Sequence, residues 1–261
     1  MSSKDFKLGR LVRGYEARIP HFSALIAGKT LPAIPEAKDW SANMPSQLGM
    51  MCNDTLGDCT CAAVYHARQV WTANTGTMIT EPDSDVELLY RLACGWNPNT
   101  PGEGPGGNEQ NVLTYLLNTG APIGPNGATT DKISAFVEVD PRNQNDIKRT
   151  IYACGVAYIG FNVPASLMPP GQEPPEIWTV DPHNSASIGG HAVVLVGYDA
   201  QYAKVISWGQ YYQMTWQFFA KFVDEVYAIA YDAWFNAQNT DPLGLTLPQL
   251  EQQMTALKEK A

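Results

Sequence analysis

Past the middle of this chain the apolar pattern changes period, and that change restricts the fold more than any other feature. Up to residue 154 apolar residues recur at helical spacing. Ala63, Ala67, Val70 and Trp71 mark one face of a helix that starts at Cys59 and closes at Gly76. A second helix spans Ser84 to Cys94 and opens on the capping box Ser84-x-x-Glu87. Val112, Tyr115 and Leu116 mark a third, stopped by Gly120, and residues 143–154 a fourth, with Ile147 and Ile151 on one face. From Val156 onward the runs are short, apolar and β-branched: Val156 to Val163, His191 to Tyr198, Lys204 to Trp208 and Val226 to Tyr231. These read as buried strands, with a short helix around Thr215 to Phe222. Helices first and antiparallel strands second make an α+β protein.

Composition bounds the rest. At 261 residues and 44% apolar content the chain is one large globular domain or two small ones, able to bury a core without staples. A net charge of −9 argues against nucleic acid and anionic membranes, which call for clustered positive charge. No apolar run approaches the ~20 residues of a membrane span. The first ten residues lack the apolar core of a secretory signal. The cysteine count is five, Cys52, Cys59, Cys61, Cys94 and Cys154. An odd number without an export signal predicts free thiols in a reducing compartment, so a cytoplasmic or particle-associated protein is expected. Cys59 and Cys61 form a Cys-x-Cys pair, but no second pair at zinc-finger spacing follows, and neither a metal nor another cofactor is expected. Cys94 and Cys154 end helical patterns and read as small core residues.

The chemistry concentrates at Asn53-Asp54-Thr55-Leu56-Gly57-Asp58-Cys59-Thr60-Cys61. Turn formers run into Cys59 and the helix begins there, with Asp58 placed to cap it. A sulfur at a helix N-terminus gains thiolate character from the dipole and the free N–H groups, and the thiolate is the nucleophile. The nearby Asp58 carboxylate works against that charge. Two later stretches answer the cysteine. One is Gly189-Gly190-His191-Ala192 and the other is Val205-Ile206-Ser207-Trp208-Gly209.

Together these blocks resemble the signature of the papain-like cysteine peptidases, most closely their short bacterial and phage members. Those read Leu-Gly-x-Cys-Thr at the nucleophile and Gly-Gly-His-Ala at the base. That family places its His and Asn roughly 130–150 residues after the Cys. Here His191 follows Cys59 by 132 positions (191 − 59) and Ile206 by 147 (206 − 59). Ile34-Pro35-Glu36-Ala37-Lys38-Asp39-Trp40 is similar to the start of mature domains of this kind. The resemblance implies a helical lobe and an antiparallel β-barrel-like lobe meeting at a cleft. It implies Cys59 as nucleophile, His191 as base and acid, and Asn53 as oxyanion donor in place of a Gln. Ile206 occupies the third-residue position, where it offers no acceptor to the imidazole, and Ser207 would point to the opposite face of its strand. Trp208 would shield the site, and Gly106 and Gly107 would hydrogen-bond an extended peptide. Leu56 stands where many secreted members carry a disulfide cysteine.

The expected organisation is an N-terminal arm over residues 1–33, a papain-like domain over 34–236, and a tail over 237–261. In the tail Leu250, Met254 and Leu257 repeat at helical spacing. Only about thirty residues precede the expected domain, short for the family's inhibitory pro-segment. The expected function is hydrolysis of peptide or isopeptide bonds, weakened by Ile206, on a peptide or protein substrate. The alternative is a degenerate binding or assembly module, such as a structural component of a phage-type particle, docking a partner through the arm or the tail.

Overall fold

The computed structural model describes residues 6–12, 19–28 and 30–238. The expected tail helix around Leu250 lies outside the described residues. In chain order the elements are α1 (Phe22–Ile26), β1 (Lys38–Asp39), α2 (Cys59–Thr75), α3 (Asp83–Cys94), α4 (Glu109–Asn118), β2 (Ala121–Ile123), β3 (Thr129–Asp131), β4 (Ala135–Glu138), α5 (Gln144–Cys154), β5 (Ala157–Pro164), β6 (Ile177–Trp178), β7 (Ser187–Tyr198), β8 (Tyr202–Ser207), β9 (Gln210–Thr215), α6 (Trp216–Phe222), β10 (Val223–Ala230) and α7 (Asp232–Gln238). The architecture is α+β, as the change of period predicts.

The main sheet runs β4-β10-β5-β7-β8-β9-β6, with β1 beside β7. It is antiparallel except where β6 meets β9. Alternation along its strands gives it two buried faces, because successive side chains point to opposite sides. Ala192, Val194, Val196 and Ile206 face the helical lobe, packing with Ala63, Val70 and Trp71 of α2 and Leu89 of α3. Val193, Leu195 and Val205 face the other way, into a second core with Phe161, Trp178, Phe218 and Met214. Burying both faces explains why the strands read as unbroken apolar runs rather than as alternating ones.

Three local expectations are corrected. The helix α3 begins two residues earlier than the Ser84-x-x-Glu87 box implies; Pro82 rather than Ser84 occupies its N-cap, and no side-chain cap bond forms. Proline suits the start of a helix because the missing N–H would be unpaired there anyway. Asp58 does precede α2, but with ψ of 18° rather than the extended value of a capping residue it makes no side-chain cap bond. Its carboxyl is buried. Cys94 is half-buried rather than a core residue, and its sulfur lies 3.9 Å from that of Cys61. None of the five cysteines is joined in a disulfide.

The expected arm packs on the body where it is described. Phe22 and Leu25 of α1 enter the core on the far face of the sheet. Upstream, residues 6–12 run as extended chain between the two lobes.

Candidate active site

Cys59 is the first residue of α2, and its sulfur lies beneath β7 where the sheet meets the helical lobe. Burial pushes the thiol up to about 12, and the Glu109 and Asp58 carboxyls add to the shift. Backbone hydrogen bonds from Ala192 and Gly9 pull the other way. Asp58 itself is raised well above the usual carboxylate range, chiefly by burial, so its neutral form is favoured.

His191, on β7, precedes the Ala192 that touches the cysteine. Its Nε2 shares a hydrogen bond of 2.8 Å with the Ser207 hydroxyl. Its Nδ1 has no partner among the described residues. Trp208 stacks on the imidazole at 4.3 Å between ring centroids, with the planes 13° apart. The Phe161 ring meets the imidazole edge-on at 5.8 Å. Burial lowers the imidazole to about 3. Burial therefore favours the neutral form of both the thiol and the imidazole.

Ser207, not Ile206, is the residue that addresses the histidine. On β7 the side chains of His191, Val193 and Leu195 share one face, and the pairing of β8 with β7 puts Val205 and Ser207 on that same face. Ile206, opposite Val194, turns to the helical lobe and is fully buried there. The pleat settles the exchange, because one residue along a strand is one change of face. Sequence offsets counted from Cys59 cannot show that phase; only the register of β7 against β8 does.

Asn53 is buried near the cysteine, and its amide Nδ2 donates to the Leu56 carbonyl at 3.0 Å. Gly106 donates its N–H to the Tyr90 hydroxyl at 2.8 Å. Gly107 pairs with extended chain, and that chain is the protein's own arm. The Gly107 N–H donates to the Gly9 carbonyl at 2.7 Å, and the Leu11 N–H donates to the Gly107 carbonyl at 2.8 Å, a parallel bridge centred on Arg10. On the opposite wall the Gly190 carbonyl accepts from the N–H groups of Gly9 and Arg10, at 3.3 and 3.1 Å. The Lys7 N–H donates to the Asn53 carbonyl at 3.0 Å, and Trp208 Nε1 donates to the Lys7 carbonyl at 3.1 Å. The arm thus lies across the cysteine and is held to both lobes by main-chain bonds.

Glycine is required at position 9. A Cβ there would stand 1.8 Å from the Gly57 carbonyl oxygen, closer than any side chain tolerates. The path of residues 6–12 is not legible in the sequence, because the basic and apolar residues of the first thirty positions carry no periodicity that would reveal it.

Neither a protein-family model nor a curated relative matches the sequence. The fold does have counterparts among solved structures. Xylellain, a cysteine protease from Xylella fastidiosa, superposes with a TM-score of 0.66 at 16% identity, over 87% of this chain and 97% of that one. The digestive procathepsin L2 proteinase of Tenebrio molitor gives 0.63 at 17% identity, over 87% and 79%. The Carica candamarcensis cysteine protease CMS1MS2, in complex with E-64, gives 0.52 at 17% identity, over 76% and 99%. This chain has the papain-like fold those proteins share.

Proposed function

We propose that this papain-like chain is a thiol-dependent hydrolase of peptide or isopeptide bonds, held closed by its own arm. One observation carries the reading: extended chain lies across a helix-terminal cysteine whose sulfur meets the backbone of Ala192, the residue after a histidine whose Nε2 is held by a hydroxyl. Cys59 is the nucleophile and His191 the proton carrier. With Nε2–H donating to Ser207, the neutral imidazole keeps its lone pair on Nδ1, the nitrogen that would take the thiol proton. Once the arm lifts, water reaches the site and the burial that disfavours both charges is relieved, so the thiolate–imidazolium pair becomes accessible.

The reaction then balances as follows. The thiolate sulfur adds to the substrate carbonyl, and the oxygen takes the negative charge. The backbone N–H of Cys59 and the amide of Asn53 are the donors placed for that oxygen, once the amide turns from Leu56. The intermediate collapses, the C–N bond breaks, and His191 gives its proton to the leaving amine. Water then adds to the thioester, losing a proton to His191, and the sulfur leaves with the carboxylic acid released.

A second reading has its own observation. A hydroxyl is a weaker orienting partner than an amide oxygen, and burial in the closed site favours the neutral form of both groups, which suits a degenerate module that binds rather than cleaves. Alkylation separates the two. The full-length protein and its Gly9→Val variant are treated with iodoacetamide near neutral pH and each thiol is followed by mass spectrometry. The arm-displaced variant should label Cys59 at least ~10-fold faster than the parent, since each unit by which a thiol pKa falls toward the ambient pH raises the thiolate fraction about tenfold. Reaction with E-64 should follow the same order, and Cys59→Ala should abolish any peptide cleavage. Labelling of Cys59 no faster than that of the half-buried Cys94 in the displaced variant, with no cleavage, would establish the binding module instead.

A further inference from the structure

The Arg10 side chain is wholly buried, a placement that a cation tolerates only when paired. It leaves the arm beside Gly107 and enters a recess between the first turn of α4, the middle of β5 and the start of β10. There its Nε donates to Glu109 Oε1 at 2.5 Å. Its Nη2 meets Asp224 Oδ1 at 2.6 Å and also donates to Glu225 Oε1. Glu225 is held in place by its other oxygen, which accepts from the Tyr227 hydroxyl at 2.5 Å. Glu109 and Glu225 have no solvent to turn to, being 0% and 2% exposed, whereas Asp224 stands at the mouth at 37%.

Room for the group depends on a glycine. Gly160, paired across the sheet with Glu225, would with a Cβ stand 2.0 Å from Glu109 Oε1 and 2.2 Å from Arg10 Nε. Burial works to lower the pKa of Arg10, but Glu109, Glu225 and Asp224 outweigh it and keep the guanidinium charged. Burial raises Glu109 against the pull of Arg10, and Glu225 adds to the rise.

These groups belong to the body, not to the arm. When the arm lifts, two buried carboxylates face each other across an empty recess, an arrangement that a bound cation relieves. The recess also stands in a fixed place relative to the chemistry. Gly9 lies at Cys59, and Arg10 is the next residue along, opposite the glycine that holds extended chain. A strand of either direction laid on Gly107 brings one side chain over the same opening.

We infer that this recess is the side-chain specificity pocket of the cleft, and that it selects peptides carrying an arginine next to the residue at Cys59. Glu109 and Glu225 are its specificity-determining residues, with Asp224 at the entrance. Arginine is preferred to lysine because the acids meet two different nitrogens of one planar group, Nε and Nη2, which a guanidinium satisfies together and a single ammonium does not. The arm is then a pseudo-substrate that fills the pocket with its own arginine. The inference deepens the hydrolase reading and rests on it for the fate of the bound peptide, but not for the preference itself.

The test uses the full-length Gly9→Val protein and, as a second route to an open pocket, full-length Arg10→Ala. Binding of the unreactive peptides acetyl-Arg-Gly-amide, acetyl-Lys-Gly-amide and acetyl-Leu-Gly-amide is measured by titration calorimetry. The arginine peptide should bind at least tenfold tighter than the leucine peptide and more tightly than the lysine peptide. Adding Glu225→Gln should cut the arginine preference severalfold. Equal or tighter binding of the leucine peptide, or no binding of the arginine peptide to either variant, overturns the inference and leaves Arg10 as a latch for the arm alone. The same dipeptides as chloromethyl ketones report the thiol separately, since alkylation needs the Cys59 sulfur to displace chloride. An arginine preference in binding without alkylation of Cys59 upholds the pocket and removes the hydrolase reading. Alkylation at equal rates by the arginine and leucine reagents upholds the thiol and overturns the pocket.

Discussion

Ser207 and Ile206 are chain neighbours on opposite faces of one strand, and their substitutions should separate accordingly. Ile206 is fully buried among apolar side chains of the helical lobe. Ile206→Asn places an amide there without a partner, and should cost ~2–4 kcal/mol from lost apolar packing and an unsatisfied polar group, read by urea denaturation, with no gain in Cys59 reactivity. Ser207→Ala leaves a buried imidazole nitrogen without its partner, which should cost ~1–3 kcal/mol of stability, and it should also slow the chemistry. A hydrogen bond between neutral groups contributes ~0.5–1.5 kcal/mol, or roughly two- to tenfold in rate. If Ile206→Asn instead folds normally and accelerates alkylation, the assignment of faces on β8 is wrong. The buried imidazoles bear on acid stability. Burial lowers His191 to about 3 and His66 to about 4, from an ordinary value of 6.5. Below pH 6.5 the unfolded chain therefore binds protons that the folded chain refuses, so their contribution to stability is complete above 6.5 and falls as the pH drops through this window. Denaturation midpoints followed between pH 4 and 7 should show a shallower acid loss in His66→Gln than in the parent, and identical slopes would show that His66 is not held neutral.

At the level of elements, α2 does two jobs that its sequence reveals unequally. Its small residues Ala62, Ala63 and Ala67 are all buried, which lets the helix pass close to β7 and brings its first residue to the backbone of Ala192. The apolar repeat announces such a helix. It does not announce that polar residues on other faces are buried too, as Gln69 is while donating to the Leu48 carbonyl and the Thr80 hydroxyl. The short helix α1 shows the reverse. Five residues give little periodicity, yet Phe22 and Leu25 are each 3% exposed and tie the arm's downstream end to the body. Leu25→Ala should cost ~2–5 kcal/mol if the site cannot collapse around the gap. Thermal denaturation checks it, and a shift of less than a degree would mean that α1 is a loose appendage.

Among the described residues the molecule is built on one main sheet with a core on each side, and that arrangement joins the two lobes. Neighbouring residues of β7, such as Val193 and Val194, belong to different cores, so neither core can open without disturbing the strand that both share. Urea unfolding followed by tryptophan fluorescence and by far-UV circular dichroism should therefore give coincident single transitions; separated midpoints would show lobes that melt independently. By itself the sequence determined what depends on neighbours along the chain. The change of apolar period set the α+β class, and the turn-to-helix run placed Cys59 at a helix start. What depends on how distant segments align was decided only in three dimensions. The register of β8 on β7 gave Ser207 rather than Ile206 to the imidazole. The path of residues 6–12 through the cleft joined Gly9 to Gly107 and Gly190, positions about 100 and 180 residues away, and brought Arg10 to acids on α4 and β10. Such pairings leave no periodic trace, because main-chain hydrogen bonds can be made by almost any residue and a buried ion pair is fixed by position rather than by spacing.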